Sequence, residues 1–338
     1  MKLNVCLSLL SLAVSPFAFG QTATSDPVGV INLTIPGNSD AVLAVPMLRT
    51  AEFKGAIKSI SGSQITVIGN PGWVTNQFVQ NLPSQTKTYA VQIASGSKEG
   101  LTGKITSNAS NTITVQLDSA ENLSGIITDD ASPGNADQID ITPYWTPSTF
   151  VTGTIPQGSQ ILLLNSTFNG VNLSSSGSFG YDSGIWVDED TFDEADHAPL
   201  NFGKAVIFRN NGPAAVNLSL HGSVPMSKHR AILRTYGGAS QDISIGFSSP
   251  IPAKVGAIGL GWHEDDQLLV FNNSAVGFNK SASQVLYFTT SDGWVDDNFE
   301  PVGNTFELQP GQGYIFRKNA TGSPATFVWS ALQSYLTP

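Results

Sequence analysis

The sequence predicts an all-β protein: tandem β-sandwich or jelly-roll-like units, with a small barrel-like insert in the N-terminal domain. Three observations carry this. Short runs in which apolar and polar residues alternate, such as QITVIG (64–69), NTITVQL (111–117) and QILLLN (160–165), recur along the chain. A period of two is the signature of strands with one buried face. Apolar residues at helical spacing are nearly absent. Between the runs stand turn formers, GNP at 69–71, SPGN at 132–135 and NNGP at 210–213, in a chain with 33 Gly and 19 Pro.

The chain opens with the apolar stretch VCLSLLSLAVSPFAF behind Lys2, ending at Ala18-Phe19-Gly20. Small residues at that spacing predict a signal peptide over 1–20 and hence export; the stretch is shorter than the ~20 residues of a membrane-spanning helix, and no later stretch is long enough to span. The only cysteine, Cys6, lies inside it. The rest of the chain therefore has no disulfide, no thiol catalysis and no thiolate metal site.

Residues 21–138 predict an N-terminal β-domain. Its barrel-like insert, over about 53–118, follows from two echoing segments, GAIKSISGSQITV (55–67) and GKITSNASNTITV (103–115), each readable as two strands joined by a polar turn. The stretch DPVGVINLTIPGNSDAVLAVPML (26–48) reads as a shortened version of the larger unit that follows, its SDAVLAVP patterned like DDQLLVFN.

That larger unit occurs twice, over 139–235 and 243–338. QILLLNSTFNGVNLSSS (160–176) matches QLLVFNNSAVGFNKSAS (267–283), pairing Gln160 with Gln267, Asn165 with Asn272, Gly170 with Gly277 and Asn172 with Asn279. Further on, the two WVD triplets coincide (186–188 and 294–296), as do GKAVIFRNN (203–211) and GQGYIFRKN (311–319). Upstream, IDITPYWTPSTFV (139–151) loosely matches ISIGFSSPIPAKV (243–255). Matches in one order over such a length predict two copies of one β-unit. Within them Phe208 and Phe316 are expected inward, and Arg209 and Arg317 outward.

Charged residues make up 12% of the chain, about half the roughly 25% of ordinary soluble domains, and the net charge is −10. An acidic chain does not suit nucleic acid or anionic membranes. Six carboxylates crowd WVDEDTFDEADH (186–197). Asp188, Asp190, Asp193, Glu194 and Asp196 supply the oxygen ligands a calcium ion takes, yet the spacing is not that of an EF-hand loop. The second copy, WVDDNFEPVGN, keeps an acidic turn after the tryptophan with fewer charges, which favours a solvated hairpin tip and leaves calcium as the candidate cation. No other cofactor is required. The four histidines read as exposed turn residues; His197 and His263, beside acids, are the alternative metal ligands. Nucleophile-elbow, dinucleotide-binding, P-loop and zinc-protease motifs are all absent. Trp73, Trp145 and Trp262 are candidate sugar-stacking platforms if exposed, while Trp186 and Trp294, at equivalent repeat positions, suit a core role.

The mature start TSDPVGVINLTIPG, SDAVLAVPMLR, FKGAIKSISGSQITV, the YAVQIASGSKEGLTGKITSNASNTITV block, PYWTPSTF and the segment from DDQLLVFNNSAVGFNKSAS to PGQGYIFRKN resemble a family of exported, paralogue-rich proteins of verrucomicrobial bacteria that has no known activity. The resemblance implies a β-architecture and no catalytic residue. The resulting expectation is a non-enzymatic structural or interaction protein of the cell envelope or extracellular matrix, with other envelope or matrix proteins, or itself, as partner. The alternatives are a secreted carbohydrate-binding module that takes glycans on exposed tryptophans, with calcium fixing the acidic loop, and a hydrolase of unfamiliar type that brings distant acids such as Asp188 and Asp265 into one cleft.

Overall fold

The computed structural model describes residues 26–165, 168–320 and 322–336; the expected export signal at 1–20 lies outside them. The described chain is nearly all β, as expected, and falls into two sandwich units and a barrel. The first unit begins with β1 (Val28–Ile35) and β2 (Ser39–Ala44). A closed barrel interrupts it, made of β3 (Phe53–Ser61), β4 (Gln64–Val67), β5 (Tyr89–Ile93), β6 (Thr102–Asn108), β7 (Thr112–Gln116) and β8 (Gln138–Pro143). A single helical turn, α1 (Pro147–Phe150), then leads to β9 (Gln160–Leu164), β10 (Ser175–Asp182), β11 (Ile185–Asp188), β12 (Ala205–Asn210) and β13 (Val216–Ser223). The second unit comprises β14 (His229–Thr235), β15 (Gln241–Gly246), β16 (Ala253–Lys254), β17 (Asp266–Val270), β18 (Gln284–Thr289), β19 (Gly293–Val295), β20 (Glu307–Leu308), β21 (Gly313–Lys318) and β22 (Ala325–Ala331).

The repeat is visible in the strand orders. In the first unit a sheet β11-β10-β9-β12-β2 is covered by the pair β1-β13; in the second, β19-β18-β17-β21-β15 is covered by β14-β22. Each unit buries its own core between the two layers, as sandwiches do. Phe208 and Trp186 fill the first, Phe316, Trp294 and Trp329 the second. The paired phenylalanines and tryptophans thus face inward, each at most 2% exposed, and their neighbours Arg209 and Arg317 point out of the opposite face.

Two boundaries differ from the sequence expectation. Residues 26–48 are no third copy: β1 and β2 are the first two strands of the first unit, separated from the rest by the barrel. Their counterparts are β14 and β15, so SDAVLA corresponds to QDISIG (241–246) and residues 229–235 belong to the second unit. The IDITP stretch, in turn, belongs to the barrel. Its ring β3-β4-β7-β6-β5-β8 closes when β8 pairs back to β3, which places Ile139 and Ile141 in the barrel core with Ile57, Ile65 and Ile113. The insert therefore runs from 53 to 143. Closure removes every free sheet edge, the exposed backbone that otherwise invites association.

The barrel also grips the second unit. Glu121, buried at its rim, receives Arg230 at 2.6 Å and Lys98 at 3.2 Å, and Glu99 receives Lys228 at 3.4 Å. Strand β14 is thereby held from the barrel side and from β22.

Candidate functional site

The sequence-predicted residues do not converge. Trp145 lies in the first core and donates its indole N–H to the Met47 carbonyl at 2.8 Å. Trp73 plugs the barrel between Phe53 (4.8 Å) and Phe78 (5.1 Å). Trp262 is half-buried, 5.7 Å from Phe316 and 5.2 Å from Phe327. These indoles pack against their own domains, so they do not form the flat exposed platform that sugar stacking needs. Asp188 and Asp265 sit on different units, at the end of β11 and just before β17.

Within the acidic run four of the six carboxylates have separate partners. Asp188 accepts the N–H groups of Asp190 (2.9 Å) and Thr191 (3.1 Å). Asp196 accepts that of Trp186 at 2.7 Å. Glu189 reaches back to Gln160 at 2.8 Å, while Glu194 lies 3.9 Å from His197. Asp190 and Asp193 are exposed. Among the described residues no three His, Cys, Asp or Glu side chains come together as a metal would require. His229 departs from the reading of exposed turn histidines. It is buried between Phe247 and Trp329, with Nε2 unpartnered, and burial pushes its pKa down to about 3.

The structure instead assembles two features that occur twice, a clasp that sequence reasoning did not foresee and the acidic hairpin tips that it did. The first is a reciprocal clasp between the units. Asp40 on β2 binds Arg209 on the neighbouring β12 through two parallel bonds (2.8 and 3.0 Å), and Asp242 on β15 binds Arg317 on β21 in the same way (2.6 and 3.0 Å). Each pair then holds the other unit's loop. The Asn279 N–H donates to Asp40 at 2.7 Å and the Asn172 N–H to Asp242 at 2.7 Å, while Arg209 donates to Asn279 Oδ1 (2.8 Å) and Arg317 to Asn172 Oδ1 (3.0 Å). The backbone repeats the exchange: Asp40 N–H to the Gly277 carbonyl and Asp242 N–H to that of Gly170, both 3.0 Å. Gly170 and Gly277 have φ of 133° and 132°, Asn172 and Asn279 of 53° and 51°, which explains why only Gly and Asn serve there. The ion pair holds both guanidinium pKa values above their usual range, the hydrogen bond to the aspartate being the larger cause.

The two sheets meet closely enough that a Cβ on Gly246 would stand 2.3 Å from that of Ala44. Beside this contact the crossed loops roof two related cavities. One, about 110 Å³, lies over Val42, Leu162 and Ile207 of the first unit, with Phe271, Arg209 and Lys280 at its rim; the other, about 390 Å³, lies over Ser244, Leu269 and Ile315 of the second, under Asn172 and Leu173.

The second duplicated site is the hairpin tip after each tryptophan. In both, an aspartate carboxylate builds the turn: Asp188 as above, and Asp296 by accepting the N–H groups of Asn298 (2.9 Å) and Glu300 (3.0 Å). These bonds, that to Glu300 foremost, hold the Asp296 carboxyl below its usual range. Each turn ends on a phenylalanine in the left-handed region, Phe192 at φ 63° and Phe299 at φ 61°. Eight non-glycine residues of the described chain have positive φ, and the other six are Asn, Asp or Ser, types that tolerate it. A bulky residue there costs about 1–2 kcal/mol. These two rings are also 82% and 75% exposed. Strain and exposure therefore coincide at the same residue, in both units. The first tip is one residue longer than the second, yet both place the Phe immediately before the residue whose carbonyl closes the turn onto Asp188 or Asp296 (2.9 and 3.0 Å). The hint in the sequence was WVD followed by a Phe within a polar turn at both positions.

Comparison with protein-family models, curated proteins and solved structures found no match.

Proposed function

We propose that the protein is an exported, non-enzymatic structural or interaction protein of the cell envelope or extracellular matrix, of the verrucomicrobial type its sequence resembles, with other envelope proteins or further copies of itself as partners. The reciprocal clasp carries this reading. The polar residues that the two units share, Asp40 and Asp242, Arg209 and Arg317, Asn279 and Asn172, are engaged with one another across the junction, so the duplication maintains a rigid pair rather than a reacting centre. In this arrangement each aspartate is ion-paired to an arginine and accepts a backbone N–H from the other unit, which commits it to the junction.

Light scattering on the purified protein over a concentration series, first with calcium and then with chelator, tests it. Defined assemblies that grow with concentration are expected, and their mass is expected to be the same in chelator. A strictly monomeric protein that binds a soluble glycan would overturn the reading.

A further inference from the structure

Resting on that reading, we infer that the two phenylalanine tips are the association surface of the protein and that their partner is a second copy of the same chain, whose inter-unit cavities receive them. Four observations point there. Phe192 and Phe299 are presented to solvent on strained backbone in both units, and the arrangement survives a change in turn length. Both tips follow the outermost strand of their sheet, β11 or β19, whereas the clasp lies on the other side, at β2 and β15. A tip therefore cannot be a contact of the junction within its own chain, and it stands free to reach another. Acceptors are at hand at the junction, where two adjoining cavities, lined by both units, are floored by aliphatic side chains. A phenyl ring is the natural filling for such a floor.

Charge supports the same pairing. The ring of Phe192 is flanked by Asp190 and Asp193, and the smaller cavity carries Lys280 at its mouth beside the Asp40–Arg209 ion pair, so that its rim is positive by one charge. Lys280 donates to the carbonyls of Asn272 (2.9 Å) and Ala275 (2.7 Å); among the described residues no carboxylate is ion-paired with it, the nearby Asp40 being held by Arg209. An acidic tip thus meets a cationic rim, as interfaces with complementary potentials do. Because tip and cavity are different surfaces, the contact is head-to-tail and extends without closing. Open assemblies are the expected product, weaker at high salt as screening shortens the reach of the rim charges.

The test uses Phe192→Asn with Phe299→Asn, since asparagine suits the left-handed turn and keeps the hairpin. A second variant, Ile207→Trp, fills the smaller cavity. Light scattering over a concentration series is read beside thermal unfolding, which reports that each variant is folded. The wild type is expected to grow in mass with concentration, the double tip variant to stay at the monomer mass, and the cavity variant to fall between them. A double tip variant that assembles like the wild type overturns this pairing and leaves the structural reading standing. A wild type that remains monomeric at its highest attainable concentration removes the pairing and with it self-assembly as the function.

Discussion

The two units bury different polar groups at the same place. In the second, Lys318 at the end of β21 and Asp266 at the start of β17 form an ion pair at 2.5 Å with both side chains 0% exposed. In the first, the corresponding residues are Asn210 and Ser159, also fully buried but neutral. Both arrangements perform one task, which is to satisfy the N–H just beyond the strand. Asn211 donates to the Ser159 hydroxyl at 3.4 Å, and Asn319 to the Asp266 carboxylate at 3.0 Å. The carboxylate does more, accepting also from Trp262 and His263 (3.0 and 3.1 Å). A buried anion needs a cation, and Lys318 supplies it. In the first unit Asn210 instead donates to the carbonyls of Pro36 and Ala214 (3.0 and 2.9 Å). The fold demands satisfied polar groups at this point and accepts either neutral or charged ones.

The largest effect is therefore expected from breaking the charged version. Lys318→Met leaves Asp266 buried without its cation and should cost about 3–5 kcal/mol, measured by chemical denaturation. The double variant Asp266→Ser with Lys318→Asn imports the neutral solution of the first unit and should cost clearly less than the sum of its single changes. Additive losses would show that the two units do not solve the same problem.

His229 gives the next effect, again in one unit only, since β1 (VGVINLTI) has no histidine. Burial lowers its pKa to about 3 from an unfolded value of 6.5. The neutral form is the one that folds, so its contribution is complete above pH 6.5 and is lost as pH falls from there toward 3. One proton taken up on unfolding gives a slope of about 1.4 kcal/mol per pH unit across that window. His229→Leu should flatten the stability profile between pH 6.5 and 4.5 by that amount, with carboxylate titration common to both proteins. Parallel profiles would place the histidine in water.

Much of this architecture was legible in the residues. Alternation and turn chemistry gave the β class, and the match of Gly170-Val171-Asn172 with Gly277-Phe278-Asn279 marked the very loops that cross. What alternation cannot reveal is a partner: a strand shows which face is buried, not which neighbour it bonds. For that reason β1 and β2 looked like a fragment and β8 like the opening of a repeat, although insertion of the barrel between Ala44 and Trp145 separates strands that fold together. His229 escaped for a related cause, since the period-two pattern HRAILRT allows a histidine on either face. The clasp was hidden because Asp40 and Asp242 align only once the insertion is removed.

The clasp itself offers a comparison of two nearly identical halves. Arg209 lies 5.2 Å over the Phe278 ring in addition to its bonds, whereas Val171 stands at the matching place beside Arg317. Replacing either arginine by Ala should lower stability by about 1–2 kcal/mol, the low end of charged hydrogen bonds because each arginine side chain is 21% exposed. Arg209→Ala should cost slightly more than Arg317→Ala because of the ring. The double variant should split a single thermal transition into two, as the units cease to melt together. Calorimetry that still shows one transition would mean that the remaining junction bonds, such as Val42 with Asn273 and Ala44 with Gly311, together with the barrel contacts through Glu121, suffice to couple them.

The smallest effect carries an opposite sign. At Phe192 and Phe299 the backbone is already left-handed, so asparagine, which visits that region readily, should relieve strain while losing little burial, the rings being mostly exposed. Each substitution should leave the fold unchanged or stabilise it by up to about 1 kcal/mol, read as a small rise in melting temperature. A residue whose removal improves stability is not retained for the fold. If both variants instead melt lower, the rings are packing on their own hairpins, and the tips are structural after all.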